Sequence, residues 1–395
     1  MSAARPFHDA DRAGRHGPRG PVTRRLDVAV VGAGAAGIGM ALALRKVPGL
    51  RFGVLEAGRV GESFRRWPAQ TRFITPSFHS NPFGLADLNA VNEPSSPAIY
   101  TGAEHPSGAQ YADYLAFLAQ EHDLPVVCDC KVESVAALPG GGFILSTAQG
   151  RLEAGFLIWA TGEYQFPDLS PFPGARDCLH YAQVADWQAV PGRGHVVIGG
   201  YESGVDAAVN LARLGRAVRL LARKSTWDPR GPYDPSLSLS PYSRQRLYEA
   251  VDSRRLEIVF GVDVMAVTRA SAGGYRVHAG DGRFWDTAQP PVLGTGFIGG
   301  GGARQIADLW EWDDAGRVVL TEADESTRTP GLFLAGPQVR HDQRIYCFIY
   351  KFRQRFGLIA QGIAQCLGRD ASALAAGAGA WGPFGNSECC EGCAC

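Results

Sequence analysis

The distribution of apolar residues near the N-terminus predicts a strand that is followed at once by a helix. Residues 28–31 are four β-favouring apolar residues in a row, and residues 38–44 form a longer, mostly apolar segment. The short run is typical of a buried strand and the longer one of a helix. Between them lie Gly32, Gly34 and Gly37, which predict a tight turn.

The same pattern returns near the middle of the chain. His195 is followed by a second short apolar run, residues 196–198, and residues 205–214 have the pattern of a second helix. Between them stand Gly199 and Gly204, with Tyr201 where another glycine would be expected. Two strand–turn–helix units of one kind predict an α/β fold with two Rossmann-like domains.

Further periodic segments predict the remaining elements. Apolar residues at helical spacing predict helices over residues 111–121, 242–251 and, longest of all, roughly 344–367. Short apolar or alternating runs predict strands over residues 51–56, 132–136, 143–147, 156–160, 217–224, 257–260, 263–268, 275–278, 291–295 and 329–336.

The glycines of the first unit have the spacing of a dinucleotide-binding turn, G-x-G-x-x-G. Gly32 permits the turn, Gly34 lets a pyrophosphate approach the backbone, and Gly37 lets the helix pack closely on the strand. Glu56 ends the next predicted strand, 24 residues after Gly32, where a carboxylate can accept hydrogen bonds from a ribose diol. We therefore predict a dinucleotide site; the alternative is a glycine-rich core turn without a ligand.

The second unit carries different charges at the corresponding position. Gly199, Gly200 and Gly204 form its turn, and its second strand ends in Arg223 and Lys224 instead of an acid. Cations at this point can pair with a 2′-phosphate, which favours NADPH over NADH. The alternative interpretation of the two cations is a solvated strand end.

Composition describes an ordinary globular protein with room for two or more domains. The chain has 395 residues, of which 45% are hydrophobic and 20% charged, and its 39 basic residues balance 39 acidic ones. This balance gives no reason to expect a nucleic acid partner. Residues 23–25 precede a 17-residue apolar or glycine run, but Asp27 and four glycines interrupt it, so we predict neither signal nor membrane anchor. We expect a cytoplasmic protein with a disordered leader over residues 1–24.

A long stretch without helical or strand periodicity spans residues 71–89. Such a stretch inside a domain is more often functional than idle. Ser77, His79 and Asn81 within it are candidate catalytic hydrogen-bonding groups. The alternative is a polar surface loop.

Cysteines are concentrated at the C-terminus. The chain has nine, and the last seven residues hold Cys389, Cys390, Cys393 and Cys395. A glycine-rich linker over residues 368–388 would span ~60 Å fully extended or ~25 Å as a flexible coil. The tail therefore predicts a mobile dithiol, with Cys390 and Cys393 as redox residues, or a soft-metal ligand set for Cu(I) or Zn(II). A tail without a role is the third interpretation, and Cys347 is either a packing residue or close to the cofactor.

The motifs together resemble the flavoproteins in which an NADPH domain is inserted into a discontinuous FAD domain. The matching segments occur in the order of that family and span about residues 25–367: the first turn with Glu56, then residues 160–162, 199–204, 295–297 and 329–336. The resemblance implies FAD domain parts over residues 25–170 and 289–367, an NADPH domain over residues 171–288, and a linker and tail over residues 368–395.

The resemblance also assigns roles to individual residues. It implies that FAD is held by Gly32, Gly34, Gly37, Glu56, Thr161, Gly162 and Gly336, and that the N-terminus of the last helix points at the flavin. One position departs from the disulfide reductases of this superfamily, which usually have Asp where this chain has Pro337.

Two branches of the superfamily are similar to this chain. Flavin-containing monooxygenases share the irregular stretch, although the spacing from Gly174 to His180 is longer here. Bacillithiol disulfide reductases share His180-Tyr181 but typically carry a cysteine where this chain has Ala35-Ala36. We expect an FAD-dependent NADPH oxidoreductase acting on O2 and a small-molecule substrate. Alternatives are a thiol/disulfide or metal-ion reductase working through the tail, and a metal-binding or redox-sensing flavoprotein; a homodimer stays open.

Overall fold

The computed structural model describes residues 24–78, 86–93, 95–224, 235–271 and 273–375. The predicted leader, the candidates His79 and Asn81, and the four cysteines of the tail lie outside these ranges. Its helices are α1 (Ala35–Arg45), α2 (Glu62–Arg65), α3 (Pro97–Thr101), α4 (Gly108–Glu121), α5 (Glu202–Arg213), α6 (Pro241–Asp252), α7 (Ile349–Cys366) and α8 (Ser372–Ala375).

Its strands are, in chain order, β1 (Arg24–Val31), β2 (Phe52–Leu55), β3 (Val126–Val127), β4 (Val132–Ala137), β5 (Phe143–Thr147), β6 (Gly150–Trp159), β7 (Leu179–His180), β8 (Gly194–Ile198), β9 (Ala217–Ala222), β10 (Leu256–Phe260), β11 (Val264–Arg269), β12 (Tyr275–Ala279), β13 (Phe284–Thr287), β14 (Val292–Leu293), β15 (Glu311–Trp312), β16 (Val318–Val319), β17 (Leu332–Leu334), β18 (Arg340–His341) and β19 (Arg344–Ile345).

The first domain is built on a sheet with strand order β3-β2-β1-β6-β5-β4, and β17 also pairs with β6. On the edge opposite β1, β6 pairs with two strands because it is long: its first half is antiparallel to β5, and its last three residues are parallel to β17. Helices α1 and α7 pack against each other, with Phe356 directly against Gly39. The apolar core of this domain combines residues from both ends of the described chain, 28–160 and 303–374.

The second domain has a parallel sheet of order β10-β9-β8-β14-β7, covered by α5 and α6. Its apolar core uses residues 175–293. One boundary differs from the prediction, which put residues 289–367 in the first domain. Val292 and Leu293 are fully buried between β7 and β8 of the second sheet, so the chain returns to the first domain only after β14.

The two segments that connect the domains run side by side. Gly302 N–H donates to Gly162 O (2.9 Å), Ile298 N–H donates to Phe166 O (2.8 Å), and Pro167 forms a bridge with Phe297 next to the second of these bonds. The outgoing and returning chains are therefore joined to each other along the crossing. The second domain is an insertion whose two ends are neighbours.

The last long helix is shorter than predicted. Apolar spacing predicted a helix over residues 344–367, but α7 begins at Ile349. Arg344 and Ile345 form β19, which pairs with β18 in a hairpin whose turn residue Asp342 has φ +51°. Over a segment of only a few residues, the same apolar residues fit either a hairpin strand or a turn of helix. Only pairing with a partner strand decides between the two. No helix in the described ranges is long and apolar enough to cross a membrane.

Candidate functional site

The three glycines of the first turn have different surroundings. Gly32 has φ +103°, and a Cβ on it would lie 2.5 Å from Ala160 O. A Cβ on Gly37 would lie 1.8 Å from Gly32 O, so this glycine is needed for close packing of α1 on the turn. A Cβ on Gly34 would meet no protein atom within 4 Å, and Gly34 lines a large cavity. Gly34 is thus the glycine that leaves room for a ligand.

Glu56 holds the turn in shape. Its carboxylate accepts hydrogen bonds from Ala33 N–H (2.6 Å) and Gly58 N–H (2.8 Å), and the residue is only 9% exposed. A carboxylate has about four acceptor positions, so further positions are left for hydroxyl donors. Glu56 also lines the cavity, where a ribose could use them.

Three helix N-termini meet at this cavity, which has a volume of about 810 Å³. The N-cap residues Gly34 of α1, Tyr201 of α5 and Phe348 of α7 all line it, and none of their side chains caps its helix. The first amide groups of a helix carry partial positive charge and favour anions. Three such ends on one cavity suit ligands with several negative groups.

The crossing between the domains contributes an unsatisfied polar group. Thr161 Oγ1 is buried without a hydrogen-bond partner in the described part of the chain, and Thr161 and Gly162 both line the cavity. Such an atom is costly unless a ligand or water bonds to it. Gly336 has φ +112° and lies 3.1 Å, measured from its would-be Cβ, from Ala36 Cβ. Its neighbour Pro337, not Gly336 itself, is in the cavity wall.

The second turn repeats the packing of the first. Gly199 has φ +112°, and a Cβ on Gly204 would lie 1.7 Å from Gly199 O. Gly200 adjoins this turn but, like Gly199 and Gly204, is not in the cavity wall. Tyr201 turns its hydroxyl away to the carbonyls of a neighbouring segment, Ser236 O (3.1 Å) and Ser238 O (2.7 Å). Tyr201 is also part of the cavity wall.

Arg223 and Lys224 are exposed just beyond the end of β9 and do not line the cavity. Lys224 Nζ lies 5.9 Å from the centroid of the Tyr201 ring, beside the second turn. The predicted cations are thus at the rim of the second turn, where the far end of a dinucleotide would be expected.

Ser77 is placed away from the cavity. It is 2% exposed, its hydroxyl donates to Asp87 Oδ2 (2.6 Å), and Ser96 donates to the same oxygen (2.7 Å). Arg353 of α7 then bonds to backbone carbonyls of the same segment, including Ala90 O (2.8 Å). Through its hydrogen bond to Asp87, Ser77 therefore fixes the position of residues 86–93.

Several cavity residues were not among the predicted site residues. Asn89 lines the cavity at the end of the irregular stretch, and its amide donates to Thr75 O (2.9 Å). Burial raises the pKa of Glu163, which accepts a hydrogen bond from Gln338. Burial also raises the pKa of Glu202, although Ser243 and Ser240 donate to it. Their positions in the sequence could have indicated both glutamates, because Glu163 directly follows the predicted Thr161–Gly162 turn and Glu202 directly follows Tyr201.

One thiol faces the cavity near the N-terminus of α7. Cys347 Sγ donates to Ser236 Oγ (3.1 Å), and Lys351 Nζ donates to the same hydroxyl oxygen (3.0 Å). Burial raises the pKa of Cys347, whereas its hydrogen bond with Ser236 and the attraction of Arg340 and Lys351 act to lower that pKa. Within the described ranges, no group of three or more His, Cys, Asp or Glu side chains is arranged to hold a metal ion.

These features fit a bound flavin dinucleotide. The open space over Gly34, the acceptor positions of Glu56, the unsatisfied Thr161 hydroxyl and three anion-favouring helix ends face one cavity. The wall also contains aromatic rings that suit a planar heterocycle, among them Trp67, Phe73, Tyr164 and Phe297.

Similar proteins have been characterised. Bacilliredoxin reductase Bdr of Bacillus subtilis is 23% identical over 337 residues, which are 85% of this chain and 97% of the relative. The solved structure of bacillithiol disulfide reductase Bdr from Bacillus cereus matches with a TM-score of 0.69 at 24% identity, over 87% of this chain and all of the other. A flavin-containing monooxygenase from Stenotrophomonas maltophilia matches with a TM-score of 0.68 at 17% identity, over the same shares.

At these identities the solved structures establish a common fold. The family described as pyridine nucleotide-disulphide oxidoreductase matches residues 29–336, which include both glycine turns. The chain therefore belongs to the pyridine nucleotide-disulphide oxidoreductase family, and it is an oxidoreductase whose cofactors are FAD and NADPH.

Proposed function

We propose that this enzyme passes electrons from NADPH through FAD to O2 and oxygenates a small organic substrate held in the cavity. FAD supplies the redox chemistry when it is bound. The observation that carries the proposal is the cavity wall beside the first turn, where Ala35 and Ala36 stand and where the two cysteines of the described wall, Cys130 and Cys347, are not joined in a disulfide. A dithiol relay from the flavin to a disulfide acceptor would need a disulfide in the wall, whereas O2 needs none.

The cavity residues suit this role. Thr161 and Glu56 would hold the dinucleotide, and the aromatic wall would exclude water from the reacting end. Asn89 presents an amide to the same space and would orient a substrate or the nicotinamide. The similar proteins include a flavin-containing monooxygenase and an ornithine N-hydroxylase, so small nucleophilic amines are reasonable first substrates.

A second candidate function is favoured by the thiol in the cavity. Cys347 Sγ shares a hydroxyl with the Lys351 ammonium group, and two of the similar proteins are named as reductases of bacillithiol disulfide or bacilliredoxin. In this alternative the flavin would reduce a disulfide through Cys347 or through the cysteines of the C-terminal tail.

One experiment separates the two functions. The purified holoprotein is reduced with NADPH under anaerobic conditions and then mixed with O2 and a panel of amines, or with glutathione and bacillithiol disulfides. Matched proteins are the full chain, a chain ending at Ser387, and Cys347→Ser. We expect reoxidation by O2 in all three, with a product that has gained one oxygen atom.

The opposite pattern would contradict the proposal. Reoxidation by disulfides that is lost in the shortened chain would assign the reaction to the tail. Reoxidation by disulfides that is lost in Cys347→Ser would assign it to the cavity thiol. If O2 yields only hydrogen peroxide with every amine and sulfide tested, the oxygenation proposal fails.

A further inference from the structure

A short loop of the first domain bonds to the second domain residue by residue. Ala69 N–H donates to Ala185 O (2.8 Å). Gln70 then donates from Nε2 to Asp186 Oδ1 (2.6 Å) and accepts at Oε1 from Trp187 N–H (3.1 Å). Backbone and side-chain bonds thus join the loop to the segment that follows β7.

The next residue of the loop enters a buried polar cluster. Thr71 Oγ1 lies 2.6 Å from Tyr181 OH and 2.8 Å from Asp206 Oδ2, and Tyr181 OH lies 2.8 Å from the same carboxylate oxygen. Arg246 Nη1 donates to the other oxygen, Asp206 Oδ1 (2.8 Å). We call Thr71, Tyr181, Asp206 and Arg246 the interdomain clasp; each is at most 8% exposed.

The carboxylate and hydroxyl oxygens of the clasp all have hydrogen-bond partners. Its two hydroxyl protons are shared among three oxygen contacts, and the Asp206 carboxylate faces the Arg246 guanidinium. Separating Thr71 from the other three would leave a buried ion pair short of one donor. Leaving a buried charged group with a missing hydrogen bond is strongly unfavourable.

Two other contacts join the domains at separate places. The rings of His105 in the first domain and Tyr242 of α6 stack with centroids 3.9 Å apart at 18°. The crossing segments are bonded to each other, as Gly302 N–H to Gly162 O illustrates. Domains in one chain move relative to each other by default unless their interface prevents it. Here the buried hydrogen bonds of Thr71 to Tyr181 and Asp206, a ring stack and a paired crossing all oppose such motion.

We propose that the interdomain clasp holds the two domains in one relative arrangement throughout turnover, so that NADPH reaches the flavin without a domain rotation. Thr71 and Asp206 are then positioning residues. Both line the cavity between the two glycine turns, where a shift of the second domain would change the distance between the two cofactors. The inference holds for either electron acceptor, since it concerns the step before the acceptor.

Small-angle X-ray scattering of the holoprotein tests the arrangement directly. The oxidised protein, the protein with bound NADP+ and the protein reduced anaerobically with NADPH should give superimposable curves and one radius of gyration. A change in the curve on reduction or on NADP+ binding would overturn the proposal.

Variants test the role of the clasp. Thr71→Val removes the hydroxyl at nearly constant volume, and we expect its rate constant for flavin reduction by NADPH to fall roughly tenfold or more. Its scattering curve should also change, whereas FAD content should not. Thr71→Ser keeps the hydroxyl and should recover most of the rate. Thr329→Val is the matched control, because Thr329 is also buried but bonds within the first domain, to Leu309 O (2.8 Å).

If Thr71→Val does not fold, Tyr181→Phe removes the neighbouring hydroxyl and keeps the ring. A clasp variant with the scattering curve and the reduction rate of the wild type would overturn the proposal. A fall in rate shared by Thr329→Val would attribute the effect to general destabilisation and would equally overturn it.

Discussion

Neighbouring atoms decide whether each glycine of the first turn can be replaced by a residue with a Cβ atom. A Cβ on Gly37 would lie 1.8 Å from Gly32 O, so the backbone would have to move, whereas a Cβ on Gly34 meets no protein atom within 4 Å. We expect Gly37→Ala to lower the free energy of unfolding by about 2 kcal/mol or more. Gly34→Ala should leave the stability of the FAD-free protein within about 0.5 kcal/mol of the wild type.

The measurement for this pair is urea unfolding of the FAD-free proteins, followed by FAD titration. Gly34→Ala should bind FAD more weakly despite its normal stability, because its methyl group enters the cavity. Equal stability of the two variants, or normal FAD affinity of Gly34→Ala, would contradict the roles given to these glycines.

The choice of nicotinamide cofactor also belongs to single residues. Arg223 and Lys224 are exposed at the rim of the second turn, free to approach a 2′-phosphate. Arg223→Ala should lower the ratio of kcat/KM for NADPH to that for NADH about tenfold or more, since hydrogen bonds to charged groups are strong. Arg213→Ala is the control, because Arg213 is exposed on α5 and pairs with Glu249 (2.9 Å). An unchanged ratio in Arg223→Ala would refute the assignment.

Residue-level predictions depend on local signals. The glycine spacing and the acid 24 residues later are read within one strand–turn–helix unit, and the structure puts Gly34 and Glu56 on the cavity. Ser77 was unpredictable because its burial depends on Asp87 and Ser96, which reach it through the fold of a later segment. Polarity alone does not distinguish a catalytic hydroxyl from a structural one.

At the scale of elements, α7 is attached to the rest of its domain by a buried carboxylate. Asp324 is 0% exposed, accepts from Arg355 Nε (2.9 Å) of α7, and lies 2.5 Å from His341 Nε2 of β18. Asp324→Ala would leave a guanidinium without its partner, and we expect a loss of about 3 kcal/mol in the free energy of unfolding.

Urea unfolding measures this loss, and Asp286→Ala is the control. Asp286 also pairs with an arginine, Arg276, but both side chains are exposed, so its removal should cause a far smaller loss. Similar losses of unfolding free energy in the two variants would contradict the prediction that the buried Asp324 stabilises the packing of α7 more than an exposed ion pair does.

Elements were predicted well where their periodicity is long. The helix predicted over residues 111–121 lies within α4, and the strand predicted over 143–147 is β5. The first residues of the predicted last helix belong to β19 instead, because β18 pairs with them. Which segments pair depends on the whole fold, and a short apolar run does not indicate the strand with which it pairs.

The stability of the whole molecule should depend on pH through a buried histidine. His180 is 1% exposed, its Nδ1 accepts from Ala182 N–H (3.1 Å), and its Nε2 lies 2.9 Å from Gly296 O, which only the neutral ring satisfies. Burial lowers the pKa of His180 below its ordinary 6.5. Below about pH 6.5 the unfolded chain therefore binds a proton that the folded protein excludes, and stability falls as the pH falls.

We expect the free energy of unfolding to fall between pH 7.5 and 5.5, and to fall less in His180→Gln, by urea unfolding at each pH. Above pH 7.5 the two proteins should respond to pH alike, because His180 is neutral in both folded and unfolded chains there. His195, whose pKa is lowered by burial and by Arg216, accounts for part of the remaining fall. Equal falls in the two proteins would contradict the assignment to His180.

The sequence predicted the two repeated units of the molecule, but it did not predict which residues form the cavity wall. Two similar units in one chain are visible in the sequence, and the structure has two sheets, each with the parallel strands that such a unit implies. The cavity wall, in contrast, draws Asn89, Glu163 and Cys347 from segments that are far apart in the chain. Only the folding of the first domain from both ends of the described chain, together with the crossing, brings these residues to one space.

The paired crossing has a consequence for how such a chain is assembled over evolutionary time. The inserted domain leaves near Gly162 and returns near Gly302, and the two positions are joined by one hydrogen bond of 2.9 Å. Deleting the insertion would require only a very short peptide to reconnect the host, and another domain with adjacent ends could be spliced in at the same point. We therefore expect the crossing to be a point at which an inserted domain can be exchanged while the host domain stays intact.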